Sequence, residues 1–253
     1  MKKVLFFLII LILFIVFVVH NNSDPGVIIS ELVKKNDIRQ GDLKYRINLF
    51  GIIPIGEATL SLERQVEYKG LKVYHLNATA APLKYYAKFF KGSAELDSYV
   101  DLDTLNPVLF KQKVEAPGKE NPYKEVSYDQ KNGTMSLEGV QRSIFPNTQD
   151  PLSALFNIRR MDFDNTKRIE ISINTNQKNY ILTGSAEISE LTINKKIYKI
   201  AVLNTEIKRR DKDSYHKSKV SMVLLRGKEN IPISIKVFAS GILINVKLVG
   251  IYP

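Results

Sequence analysis

A chain of 253 residues is long enough for one domain of ordinary size, and a core of that size needs no covalent staples. It contains no Cys, which excludes disulfides, thiolate nucleophiles, cysteine-ligated zinc and lipid attachment to an N-terminal Cys. The 37 basic side chains outnumber the 26 acidic ones, a surplus that favours anionic partners in a generic way.

The chain opens with Met1, Lys2 and Lys3, followed by Val4 to Val19, a run of only Val, Leu, Phe and Ile that stops at His20, Asn21 and Asn22. As a helix the run spans about 24 Å, slightly less than the ~30 Å hydrocarbon core of a bilayer, so flanking side chains have to snorkel. Residues 1–22 read as a membrane anchor or signal segment. The small-x-small pattern expected before cleavage is poor, Ser23 preceded by Asn21 being the nearest match, which favours retention as an anchor. Lys2 and Lys3 predict a cytoplasmic N-terminus. The expected location is therefore a membrane crossed once, with everything downstream outside the cytoplasm. Residues 23–42 read as a stem with a short amphipathic helix over Val27 to Lys35, and 43–253 as a single exported β-rich domain.

Within that domain Leu43, Tyr45, Ile47 and Leu49 alternate with Lys44, Arg46 and Asn48. After the Gly51–Gly56 stretch the alternation resumes with Ala58, Leu60 and Leu62, which reads as a β-hairpin. The same period of two predicts strands near 64–68, 71–80, 108–115, 123–129, 134–138, 168–174, 178–192, 197–206, 217–226, 231–239 and 242–251. Lys69-Gly70 and Asn132-Gly133 supply turn signals between them. Two stretches break the pattern. Asp150, then Pro151, then Leu152 and Leu155 at helical spacing predict a capped helix over about 151–160. Leu83, Tyr86 and Phe90, after Pro82, predict a second short helix.

Consecutive antiparallel strands with one apolar face must hide it, by curling or by packing a second sheet. The expectation is an all-β fold with one or two short helices: a strongly curved antiparallel meander sheet forming an open or nearly closed β-barrel. The 151–160 helix is expected against its inner face or end. A two-sheet β-sandwich is the alternative.

Four segments, taken together and in order, resemble the bacterial exported family known as domain of unknown function 3108. They are LKYRINLFGIIPIGEATLSL (Leu43 to Leu62), DSYVDLDTLNPVLF (Asp97 to Phe110), QDPLSALFNIR (Gln149 to Arg159) and IPISIKVFASGILINVKLVGI (Ile231 to Ile251). The region from Leu191 to Tyr215 is less typical. The resemblance implies an exported β-domain, and with the leader a bacterial inner membrane with the domain in the periplasm, or secretion to the periplasm if the leader is cleaved. It brings no assigned activity, so no functional residue is carried over.

The chemistry visible in the chain is sparse. Of His20, His75 and His216, none joins a convincing Ser-His-acid set, and His75 reads as a hydrogen-bonded structural residue. Asp97, Asp101 and Asp103 miss the calcium-loop pattern, because Leu105 and Asn106 stand where an oxygen ligand and a glycine are needed, so a turn before Pro107 is the better account. Gly51 and Gly56 read as a tight turn or bulge.

Tyr85, Tyr86, Phe89 and Phe90 crowd four aromatics into six residues and are candidate ligand or partner contacts. Lys208, Arg209, Arg210, Lys212, Lys217 and Lys219 are candidate contacts for lipid headgroups or acidic glycans. No metal or cofactor is implied, and nucleic acid is not expected. The leading expectation is a non-catalytic, membrane-tethered envelope domain that binds an apolar or amphiphilic ligand such as lipid. The alternative is a scaffold that binds envelope proteins or polysaccharide through its outer surface.

Overall fold

A computed structural model describes residues 29, 42–87, 92–115, 123–175, 177–210 and 218–252. The first half of the chain forms β1 (Asp42–Leu49), β2 (Ile53–Tyr68), β3 (Leu71–Pro82), α1 (Lys84–Ala87), β4 (Ser93–Asp101), β5 (Pro107–Glu115), β6 (Tyr123–Asp129), β7 (Thr134–Leu137) and β8 (Val140–Ser143). After helix α2 (Pro151–Arg160) come β9 (Arg168–Thr175), β10 (Lys178–Ile193), β11 (Lys196–Arg209), β12 (Ser218–Leu225), β13 (Ile231–Ala239) and β14 (Ile242–Tyr252).

All fourteen strands form one antiparallel sheet in the order β8-β7-β6-β5-β4-β3-β2-β1-β14-β13-β12-β11-β10-β9. Every pairing joins chain neighbours except β1 with β14, which sets the first and last strands side by side in mid-sheet. The edges are β8 and β9, and the sheet curls until they approach each other. Arg142 Nε donates to Gln177 Oε1 at 2.8 Å, Asn179 Nδ2 donates to the Ser143 carbonyl at 3.0 Å, and Gln149 forms a parallel bridge with Ile173. The result is the nearly closed, barrel-like meander, and not the two-sheet sandwich.

Tight turns enforce the hairpins. Positive φ at both central residues, the mark of the type I′ turn that matches strand twist, occurs at Phe50-Gly51, Lys69-Gly70, Glu138-Gly139, Asn194-Lys195 and Ser240-Gly241. Asn132-Gly133 departs from this: only Gly133 has positive φ, and the connection is the four residues between Asp129 and Thr134. The alternation expected from Ala58 to Leu62 and the strand expected near 64–68 are one long strand, β2, with a register shift between Ser61 and Arg64. Strands β4 and β8 were not expected, and the helix following Leu83 is described over four residues only.

Helix α2 lies inside the curl. Asp150 caps it, accepting from the amides of Leu152 (2.8 Å) and Ser153 (2.9 Å) and from Ser98 Oγ of β4 (2.6 Å). Leu152 and Phe156 join one apolar cluster, with Leu43, Tyr45, Val100 and Met135, while Ala154 and Ile158 join a second, with Ile169, Ala201, Leu203 and Leu224. The buried Arg159 anchors the C-terminal end through Glu229 (2.9 Å) and the Asn230 carbonyl (3.3 Å). Ile29, 4% exposed, packs into the first cluster. Residues 4–19, and the rest of the stem, lie outside the described residues; among the described ones no helix is long and apolar enough to cross a membrane.

Candidate functional site: the open end of the curl

A meander sends its connections alternately to two ends. One end holds the turns at 69–70 and 194–195 and the α2 side of the interior. The other, here called the open end, holds the turns at 50–51 and 240–241, helix α1 and the β11–β12 connection.

The two halves of the interior differ. Around α2 the side chains are tightly buried; the void between β5, β6, β7 and the end of β9, lined by Phe110, Gln112, Lys124, Val126, Tyr128, Leu137, Asn174 and Thr175, measures ≈ 10 Å³, about what one water requires. Toward the open end the inner face remains apolar, and between the α2 clusters and the buried Leu49 and Ile242 at the rim runs a strip that is only half-buried. Ile47 of β1 pairs with Val246 of β14, which pairs with Ile235 of β13; one step nearer the end, Ile244 pairs with Val237. All five are partly exposed on the concave side. This strip is the largest feature that sequence patterning did not resolve. Alternation marked these residues as inward-facing, but depth along the curl depends on where α2 stops.

Both sequence-predicted clusters come to this end. Helix α1 follows β3 directly, held by a bond from the Leu83 amide to the Ile55 carbonyl (3.1 Å), and displays Tyr85 at 75% exposure while Tyr86 is half-buried. Phe89 and Phe90 lie outside the described residues. Six strand steps separate α1 from the end of β11, an arc of about 29 Å at ~4.8 Å per step, so the clusters share a rim and do not form one contact.

The basic side chains divide. Lys208 pairs with Glu206 at 3.6 Å, and Arg209 stands on β11 opposite Tyr180. Arg210 is used structurally: its guanidinium lies 4.0 Å from the Phe145 ring centroid and donates to Ser172 Oγ at 3.3 Å, sealing the curl near the β9 edge. Lys219 is exposed on β12 opposite Phe238. Lys212 and Lys217 lie outside the described residues.

A second, polar cluster covers the outer face of β2 to β7. His75 Nε2 lies 2.8 Å from Asp97 Oδ1, Asn77 donates to the same oxygen at 2.9 Å, and the Tyr99 ring stacks on the imidazole at 4.6 Å. The expectation of a hydrogen-bonded histidine therefore stands. Further along the face Tyr123 donates to Glu125 at 2.8 Å; partial desolvation, and then that carboxylate, push its phenol pKa up to about 12. A groove of ≈ 430 Å³ adjoins them, with Ser127 and Ser136 on its floor. Asp101 is taken up by the turn before Pro107, accepting from the amides of Asp103 and Thr104 and from Thr104 Oγ1. Asp97 points elsewhere, so the three aspartates do not converge; among the described residues no cluster of metal-binding side chains is found.

No curated protein matches the sequence. Among solved structures the fold is similar to the crystal structure of a beta-barrel-like protein of domain of unknown function DUF1849 from Brucella abortus. The TM-score is 0.59 at 12% identity, over 85% of this chain and 98% of that one. The likeness establishes the barrel-like fold and leaves the activity open. Residues 44–240, which take in the described β-sheet apart from β14 and the first residues of β1, match the family described as "Protein of unknown function (DUF3108)", and the chain belongs to that family.

Proposed function

We propose that this is a non-catalytic, membrane-tethered domain of the bacterial envelope that takes an amphiphilic ligand, a lipid or lipid-like molecule, into the open end of its curl. The observation that carries the reading is the half-buried apolar strip formed by Ile47, Ile235, Val237, Ile244 and Val246. Burying such a strip against an acyl chain gains about 25 cal/mol per Å² of apolar surface. Tyr85 and Tyr86 stand at the same rim as amphipathic side chains suited to a boundary between chain and headgroup. Lys208 and Lys219 lie farther round it and favour an anionic headgroup. The packing around α2 argues against a ligand threading the whole curl, so the bound chain is short or only partly enclosed.

The test is solvent extraction of the purified full chain followed by mass spectrometry. A co-purifying amphiphile near one per chain is expected, reduced several-fold when Val237→Trp fills the strip and unchanged when the outward-facing Lys247 is replaced by Trp. An extract empty of amphiphile, from a chain that also fails to bind a fluorescent fatty acid, sinks the reading.

A second reading has its own support in the outer groove beside Tyr123, Glu125, Ser127 and Ser136. Hydroxyls, a carboxylate and an aromatic edge suit polysaccharide. Tyr123→Ala should then abolish retention on cell-wall glycan while leaving amphiphile loading intact.

A further inference from the structure

Outside the mouth, the same end of the molecule carries an apolar tip that the reading above does not use. Ile52 is 80% exposed, Phe238 46% and Phe50 42%. Phe50 and Phe238 meet at Leu243, and Ile52 belongs to the same turn as Phe50. Phe238 faces Leu243 across the β13–β14 ladder, the Phe50 amide donates to the Leu243 carbonyl at 2.7 Å, and Gly51 lies over the Leu243 side chain. Phe50 occupies a left-handed turn position, φ 51°, where Asn or Gly is ordinarily preferred. An aromatic held there projects from the outermost point of a two-residue turn.

Beneath the tip the outer face is basic. Lys219 stands opposite Phe238, Lys236 opposite Asn245 and Lys247 opposite Arg46, and all three lysines are exposed. Strands β12, β13 and β14 contain no Asp or Glu at all. The one carboxylate on the adjoining part of β2, Glu57, is already held by Lys44 at 3.1 Å and Arg46 at 3.0 Å.

We propose that this face, the Phe50–Ile52 turn with Phe238 and Leu243 above Lys219, Lys236 and Lys247, docks onto an anionic lipid bilayer. The convex apolar tip enters the boundary between headgroups and acyl chains, and the flexible lysines reach back to phosphates. Charge selects the partner: Glu206, opposite Lys219, lies within 3.6 Å of Lys208, and the excess of cations around a protruding turn matches a diffuse anionic surface. A protein anchor would be met by a pocket or flat patch instead. The inference deepens the proposed function and rests on it only for its purpose, since docking would bring the mouth to the surface from which an amphiphile leaves or arrives.

The chain has no Trp, so Ile52→Trp supplies a single reporter at the tip and Leu71→Trp an exposed control at the opposite end. The full-length chain is reconstituted in phosphatidylcholine vesicles, and vesicles with or without phosphatidylglycerol, carrying doxyl-labelled lipid, serve as host or are added from outside. Emission from Ile52→Trp is expected to shift to the blue and be quenched, by either vesicle set, only when phosphatidylglycerol is present. Adding Lys219→Glu, Lys236→Glu and Lys247→Glu should weaken that response about tenfold or more, with Leu71→Trp silent throughout.

Quenching at the tip no greater than at position 71, or indifferent to lipid charge or to the three lysines, overturns docking. Tip quenching from a chain that carries no amphiphile removes the proposed function and leaves docking. An amphiphile-loaded chain with a silent tip does the reverse.

Discussion

Asp150 shows how much rests on one side chain. Its carboxylate is fully buried and satisfies two amides of α2 and the hydroxyl of Ser98. Asp150→Ala removes a helix cap and orphans the buried Ser98 hydroxyl, at about 2 kcal/mol or more. Thermal unfolding should fall by roughly 4–8 °C for a domain of this size.

Burial raises the Asp150 pKa, and the bonds from Ser98, Ser153 and Leu152 only partly oppose it. Relative to the unfolded chain, the folded state therefore favours the neutral acid. Stability from protonation is fully present below the ordinary carboxylate pKa and is lost as pH rises through the raised value. Asp150→Asn, permanently neutral, should be tolerated far better than Ala, and wild type should gain on it as pH is lowered from 7 to 4. Asp101 has the opposite sign: the bond from the Thr104 amide is the largest cause of its lowered pKa. Its contribution is present above the ordinary pKa and lost as pH falls through the lowered one, so the penalty of Asp101→Asn should vanish in acid. Unfolding curves across that range check both. The cap was legible because Asp-Pro is a local signal, whereas Ser98 is brought to it from another strand by the curl.

At the scale of elements, the turns separate two kinds of glycine. A methyl group at Gly184 would sit 2.1 Å from the Asn204 carbonyl oxygen and 2.7 Å from the Thr205 Cα, both backbone atoms that cannot move aside. At Gly139 nothing lies within 4 Å, and only the backbone angle, φ 78°, objects. Gly184→Ala should prevent folding or cost more than 3 kcal/mol, while Gly139→Ala costs about 1–2 kcal/mol, measured by urea denaturation. Phe50 inverts the usual expectation: Phe50→Gly should raise stability by up to about 1 kcal/mol by relieving a left-handed aromatic, and should weaken membrane docking.

The long strands were readable because an apolar inner face repeats every second residue. β4 escaped because Ala94 and Ser98 take inner positions, Ser98 to meet Asp150, so its alternation is faint. β8 escaped because all four of its residues are exposed and it carries no apolar face.

For the molecule as a whole, topology explains why a functional end could be anticipated only in part. The aromatic and basic clusters lie far apart in sequence, and only the pairing of β1 with β14 puts their connections on one rim. The exposed tip left no trace in periodicity, since a hydrophobic residue at a turn reads as an extension of a strand. Export itself remains a proposal with a direct check: a reporter joined after Pro253 should be active only when it matures outside the cytoplasm.

Ile29 sets the reach of that arrangement. It is buried in the apolar cluster that includes Leu43. On the proposed tethering of residues 4–19 in a bilayer, the nine residues His20 to Ile28 would set a reach of about 30 Å at most, at ~3.3 Å per residue. Under that proposal so short a mooring would hold the domain close to the membrane, where proximity substitutes for affinity. Ile29→Asp should pay out the remaining stem and lengthen the mean fluorophore-to-membrane distance read by energy transfer; an unchanged distance would mean the mooring lies elsewhere.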